Sequence, residues 1–175
     1  MNEQELWKRI VAGDAQAFTA FYQATAPRLM VFLQRIVGTR EAAEDVAQET
    51  YTGLWRRPGG YRPEHGSVRG YLFGAGRRRA LDWWRHYRPE TSKLIETLEI
   101  GQMETRSLLL DALDQLPEEQ RTLLWLREVE GLSYGELAST LEIPLGTVRS
   151  RLFKAREALR QVWSGEDKGA RYEMR

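Results

Sequence analysis

Apolar residues recur along this chain at spacings of three and four, and no run alternates apolar with polar long enough to make a strand. Leu6, Ile10 and Val11 mark a first short helix, punctuated by Gly13 and Asp14. Asp14 is placed to cap a helix carrying Phe18, Phe21 and Tyr22. Pro27 suits the first turn of a further helix through Leu29, Met30, Phe32, Leu33, Ile36 and Val37 to Gly38. Thr39 caps the next, TREAAEDVAQETYTGLWRR, where Ala43, Val46, Ala47, Thr50, Leu54 and Trp55 line one side. Pro58-Gly59-Gly60 then breaks the chain, RPEHGS reads as loop, and a helix spans Val68 to Tyr87, ending ahead of Pro89.

Periodicity weakens over ETSKLIETLEIGQMETR and returns in a short helix from Ser107 to Leu116. After Pro117 the pattern predicts a helix over Glu118–Glu130 on Leu123, Leu124, Leu126 and Val129, stopped by Gly131. Ser133 and Glu136 form a capping-box pair ahead of a helix over Tyr134–Leu141. A turn, EIPLG, leads into a last helix. The fold class is all-α, with two small helical domains at 1–89 and 107–163, a flexible linker at 90–106 and a polar tail at 164–175.

That last helix, IPLGTVRSRLFKAREALRQ, has two faces. With 100° per residue, Val148, Leu152, Ala155, Leu159 and Val162 fall within an apolar sector of about 80°. Arg149, Phe153, Arg156 and Arg160 fall together on another side, with Ser150 and Lys154 beside them. Phe153 is out of place there, because a large ring on a basic face has no core to enter. Two short helices joined by a turn containing Gly146 match a helix-turn-helix, whose second helix enters the DNA major groove. Arg pairs with guanine in a bidentate fashion, Thr147 and the free N–H groups of the helix start suit a phosphate, and an exposed ring meets a thymine methyl or a sugar. The other reading is a solvated helix whose arginines pair with acids of a neighbour.

The net charge of +1 selects no partner, but its distribution does. Six Arg against Asp82 lie between Arg69 and Arg88, and five basic residues against Glu157 lie between Thr147 and Arg160, with an acidic stretch between the two blocks. Two basic blocks suggest two contact surfaces for a polyanion, solvated helix faces being the alternative. The absence of Cys excludes a disulfide framework and a Cys-based zinc site, and His65 and His86 are too few for a His-based metal site. No cofactor is expected. The start, MNEQELWKRIVAGDAQAF, has no apolar signal core, and no run reaches the roughly 18 apolar residues of a membrane span. A cytoplasmic protein is the expectation.

The first basic block, SVRGYLFGAGRRRALDWWRHYRPE, interleaves Arg with Tyr71, Phe73, Trp83, Trp84 and Tyr87. Rings for bases and cations for backbone are what single-stranded nucleic acid requires. Phe73 and one of the two tryptophans are expected in the core instead. In EAAEDVAQE the residues Glu41, Glu44, Asp45, Gln48 and Glu49 lie off the apolar stripe, forming an acidic face that is either solvated or meets a basic protein surface.

These segments together resemble a known family. LPEEQRTLLWLREVEGLSYGELASTLEIPLGTVRSRLFKAREAL resembles region 4 of a bacterial sigma factor of the extracytoplasmic-function type. AAEDVAQETYTGLWRR is similar to region 2.1–2.2 of that family, and YRPEHGSVRGYLFGAGRRRALDWWRHYR to regions 2.3–2.4. The resemblance implies a non-catalytic specificity subunit of RNA polymerase. It implies that Glu44, Asp45, Gln48 and Glu49 dock on core polymerase, at the clamp helices of its largest subunit. The helix of regions 2.3–2.4, through Arg77, Arg78, Asp82, Trp83 and Arg85, and the loop before it, would open the −10 element and capture flipped bases. Thr147, Arg149, Ser150, Phe153 and Lys154 would read the −35 element, and an anti-sigma factor would control the whole.

Two features depart from the family. Arg78 stands where Asn or His is common, so the family's −10 base preference does not transfer directly. Gly74 and Gly76 sit within one helix, where each costs about 1 kcal/mol relative to Ala. The rival reading is a polymerase-independent, dimeric helix-turn-helix transcription regulator, with half-sites about one DNA turn apart. An enzyme is a distant third, since no nucleophile–base arrangement or metal-ligand spacing is present.

Overall fold

A computed structural model of the chain describes residues 3–87 and 111–170, and among them every element is a helix or a helical turn. The expected linker at 90–106 and residues 107–110 of the next expected helix lie outside the described residues. The helices form two compact units.

The first unit contains α1 (Glu3–Val11), α2 (Ala15–Val37), α3 (Arg40–Arg56) and α4 (Val68–Tyr87), with single helical turns at Pro58–Gly60 and Pro63–His65 between the last two. Local signals set the boundaries. The Asp14 carboxylate accepts from the N–H groups of Gln16 and Ala17 at 2.9 and 3.0 Å and pairs with Arg9 at 2.6 Å. The Ala17 amide, then Arg9, hold its pKa below the ordinary value. Gly38, at φ 89°, closes α2 by donating to the Gln34 carbonyl, and Thr39 caps α3 through the Ala42 N–H.

Pro27 does not begin a helix: α2 is continuous, and Pro27 sits inside it. Phe21, Thr25, Leu29, Phe32, Leu33 and Ile36 are buried on one side of α2, and that unbroken face carries the helix across the proline. Pro27 and Gln23, whose carbonyl loses its i+4 donor, are both exposed, so water can replace the missing bond. The core of α1 also differs from expectation. Trp7 and Ile10 are buried while Val11 is 51% exposed. On α3, Tyr51 joins the expected stripe, its phenol hydrogen-bonded to Thr25 at 2.8 Å and its pKa pushed up by burial.

Gly76 acquires a physical reason. A Cβ there would lie 3.1 Å from Leu29 Cδ1 and 3.3 Å from Leu33 Cδ2, so glycine lets α4 seat closely on α2. Phe73, Leu72 and Ala80 are fully buried on the same helix.

The second unit has a helical segment at residues 111–114, then α5 (Glu118–Leu124), α6 (Tyr134–Leu141) and α7 (Leu145–Ala170). The helix expected over Glu118–Glu130 changes character at Trp125, where Trp125–Val129 form a wide π turn. The Glu130 N–H reaches the Trp125 carbonyl at 3.1 Å and the Leu132 N–H reaches that of Leu126 at 3.0 Å. The extra residue per turn buries Trp125 and leaves Val129 at the surface. Gly131, at φ 72°, ends the turn as expected. The capping box at Ser133 and Glu136 is complete in both directions. Leu123, Leu124, Leu126, Leu132, Leu137, Val148, Leu152 and Ala155 make the core. Gly146 is not the turn residue, for it lies within α7. Glu142 takes the left-handed conformation at φ 56°, the Ile143 N–H bonds the Ala138 carbonyl, and the Pro144 carbonyl accepts from Val148. α7 continues past residue 163 to Ala170.

Replacing Pro27 by Ala restores a helix-interior donor, so Pro27→Ala should stabilise the first unit by about 2 kcal/mol, the helix gain less the added freedom of the unfolded chain. Urea unfolding followed by tryptophan fluorescence checks this; a lower midpoint would mean that proline at this position is needed for the packing of α2.

Candidate nucleic-acid interface

On α7 the cations are sorted. Arg151 lies 3.1 Å from Glu119. Arg156 binds Glu128 at 2.7 Å and the Tyr134 hydroxyl at 3.5 Å, and those bonds raise its pKa. Arg160 pairs with Glu157. Arg149 and Lys154 are exposed and, among the described residues, have no acidic partner. Pairing with acids of neighbouring elements therefore holds for Arg151 and Arg156, while Arg160 pairs within its own helix. Arg149 and Phe153 are four residues apart, as are Ser150 and Lys154, so the four side chains form two adjacent stripes. Phe153 is 67% exposed, as its azimuth required. Thr147 is half-buried, and its carbonyl accepts from the Ser150 hydroxyl at 3.1 Å. The first amides of α7 lack intrahelical partners and point forward with these side chains.

The neighbouring turn holds the helix in place. Arg127 donates to the Leu132 carbonyl at 2.7 Å and lies 5.2 Å from the centre of the Tyr134 ring, while Tyr134 and Glu128 together receive Arg156.

On α4, Arg78, Asp82 and Arg85 are exposed on one side, with Arg85 bonded to Asp82 at 2.5 Å. Arg77 and Trp83 are half-buried on the two flanks, so the five expected residues wrap the helix instead of sharing one face. Phe73 is core, as expected, and Trp84 is tied to the bundle through the Ile36 carbonyl. Trp83 stacks on Tyr87 at 5.4 Å and 22°, and Tyr87 is 70% exposed. The Arg79 guanidinium lies against Gly53 of α3, in the space that a Cβ there would take.

The loop ahead of α4 is pinned at its middle. Tyr61 is buried and donates to the Gly66 carbonyl at 2.8 Å, whereas Arg62, Pro63, Glu64 and His65 are exposed. Ser67 caps α4 through the Gly70 N–H at 3.1 Å.

On α3, Glu44, Asp45, Gln48 and Glu49 are all exposed on one face, and Glu44 also binds Arg40 at 2.8 Å. Beside them runs a groove of about 480 Å³ lined by Phe18, Tyr22, Tyr51 and Trp55 along with Glu44 and Gln48. Tyr22 and Trp55, 47% and 39% exposed, were expected on apolar stripes and in fact line this groove. No His/Asp/Glu cluster among the described residues is arranged to hold a metal. No helix among them is long and apolar enough to cross a membrane.

The family described as Sigma-70 region 2 matches residues 21–90, and that described as Sigma-70, region 4 matches residues 106–159. The RNA polymerase sigma-H factor of Pseudomonas aeruginosa is 32% identical, over 90% of this chain and 92% of its own. The ECF RNA polymerase sigma-E factor of Haemophilus influenzae is 30% identical, over 91% and 94%. This chain belongs to the extracytoplasmic-function sigma-70 family. As a sigma factor it binds core RNA polymerase and directs transcription initiation at promoters. A freestanding helix-turn-helix regulator would account for the second match alone, and the first removes that reading. Two solved structures share the fold: CnrH in complex with the cytosolic domain of CnrY (TM-score 0.70, 20% identity, 93% of this chain and 97% of that one) and the Bartonella quintana sigma factor RpoE in complex with the anti-sigma factor NepR (TM-score 0.66, 21% identity, 86% and 98%).

The face assignment on α7 predicts opposite outcomes at adjacent positions. Phe153→Ala should leave the unfolding free energy of this sigma factor within about 0.5 kcal/mol of wild type, as for a surface change. Leu152→Ala removes a buried side chain and should cost about 2–5 kcal/mol. Chemical denaturation of the two variants checks this, and a large loss at Phe153 would place that ring in the core.

Proposed function

We propose that three surfaces divide the work of this sigma factor. Glu44, Asp45, Gln48 and Glu49 on α3 dock on a basic surface of core polymerase. Arg77, Arg78, Asp82, Trp83 and Arg85 on α4, with the loop before it, open the −10 element and hold its unpaired bases. Thr147, Arg149, Ser150, Phe153 and Lys154 on α7 read the −35 element as duplex. The observation that carries the reading is the sorting of charge on α7: three arginines spend their charge on acids, and Arg149 and Lys154 beside an exposed ring do not. The faces stand on domains spanning 1–89 and 107–163, joined by a linker at 90–106 and followed by a tail at 164–175. The protein works in the cytoplasm without catalysis of its own. An anti-sigma factor controls it, as NepR accompanies RpoE of Bartonella quintana.

The deciding experiment adds the purified protein to core polymerase and scores promoter-dependent transcripts; an absence of promoter-specific initiation would end the reading. Arg149→Ala should reduce discrimination between −35 sequences by roughly 5- to 100-fold, the worth of one bidentate pair. A variant with wild-type preference removes Arg149 from that role. Asp45→Arg should weaken competition for core polymerase far more than binding to free DNA. Equal competition by variant and wild type would take the acidic face out of core docking.

A further inference from the structure

Of the surfaces of the first unit, the loop between α3 and α4 has the most support from a distant part of the chain. Three contacts from α1 converge on this loop and the first turn of α4. The Glu3 carboxylate accepts the Arg69 N–H at 2.8 Å, across 66 positions of sequence. Trp7 packs edge-on against Tyr61 in the loop at 5.7 Å and against Tyr71 on α4 at 6.4 Å, and a third ring contact, with Phe21 on α2 at 5.6 Å, ties it to the bundle. Tyr61 and Tyr71 touch each other at 5.8 Å, and the Tyr61 hydroxyl holds Gly66 at the far end of the loop.

We infer that α1 is a clamp that preforms the base-capturing loop, with Glu3 and Trp7 as its positioning residues. The inference rests on the reading of α4 and its loop as the −10 site. The start of α4 offers four amides without intrahelical partners. Ser67 takes that of Gly70. Gly70 brings no carboxylate of its own, and Glu3 supplies one from α1 to the adjacent amide, where a helix start favours negative charge. Trp7 is 4% exposed, and its indole N–H has no acceptor among the described residues, so size and shape hold the ring there and not a hydrogen bond. A phenylalanine would fill the space beside Phe21 without stranding that N–H, but it is too short to reach Tyr61 and Tyr71 as well. Tyr61, held in the middle, leaves Arg57, Gly59 and Gly60 exposed on one side and Arg62 to His65 on the other. A loop whose centre is fixed loses less freedom on receiving a base than one that must order first.

The test uses full-length protein with core polymerase on a promoter carrying each base in turn at the −10 positions. Open-complex formation is read by permanganate reactivity, alongside competition for core and −35 discrimination. Glu3→Ala and Trp7→Phe should lower open-complex formation about three- to tenfold, as for loss of one ordering interaction, and flatten −10 discrimination. Core competition and −35 discrimination should stay within twofold of wild type. Glu3→Gln, whose amide oxygen still accepts from Arg69 but carries no charge, should fall between wild type and Glu3→Ala. If Trp7→Phe is poorly folded, Glu3→Ala and Glu3→Gln carry the test by themselves. Wild-type −10 discrimination in Glu3→Ala, with Arg78→Ala defective, overturns the clamp and leaves the −10 site standing. If Arg78→Ala is silent too, the −10 reading falls with it. Parallel losses in core competition and −35 discrimination would also overturn the clamp, since they would mark a general loss of structure.

Discussion

How closely α4 can approach its neighbours governs what the first unit presents. At position 76 a side chain would press on Leu29 and Leu33, and at position 53 it would collide with the Arg79 guanidinium. Glycine at 76 lets α4 come against α2, at a cost of about 1 kcal/mol in helix propensity, whereas the Arg79 guanidinium, the end of a flexible side chain, could move aside for a side chain at 53. The gain is the full burial of Leu72, Phe73 and Ala80, apolar surface that only close contact removes from water. With those residues inward the rotation of α4 about its axis is settled, and Arg78, Asp82 and Arg85 face outward as a result. The outward side of this helix is thus oriented by the positions on its buried side.

The second unit solves a different problem, that of keeping a strongly cationic helix folded without neutralising all of it. Val148, Leu152 and Ala155 bind α7 to the core. Glu119, Glu128 and Glu157 take up Arg151, Arg156 and Arg160. Such part-exposed pairs add little stability, on the order of 0–1 kcal/mol each. Their larger effect is to direct where positive potential remains, which is at the front of the helix where its own dipole adds to it.

Much of this was legible in the sequence because it is local. The caps at Asp14, Thr39 and Ser133, the limits of α4, and the outward azimuth of Phe153 follow from residues within a few positions of each other. The acidic face of α3 and the two-faced nature of α7 were readable for the same reason, since helical periodicity alone assigns side chains to sides. What escaped depends on distant partners. Trp7 reads as one more residue of a polar segment until Phe21, Tyr61 and Tyr71 surround it. Pro27 reads as a helix start because its neighbours in sequence do not reveal the continuous buried face of α2. The Arg160–Glu157 pair is an i,i+3 contact within α7, but that Arg151 and Arg156 are neutralised depends on acids from α5 and the turn after it, which no spacing within α7 shows.

The π turn at Trp125–Val129 carries a consequence for how this lineage can change. A turn of this kind holds one residue more than an α-helical turn. Deleting any one residue there would leave an ordinary helix of good local propensity, so the alteration would look harmless in an alignment. It would nevertheless remove the wide turn that sets Arg127 and Glu128 beside Tyr134 and Arg156. The number of residues in these five positions is therefore a structural constraint of its own, separate from which residues fill them.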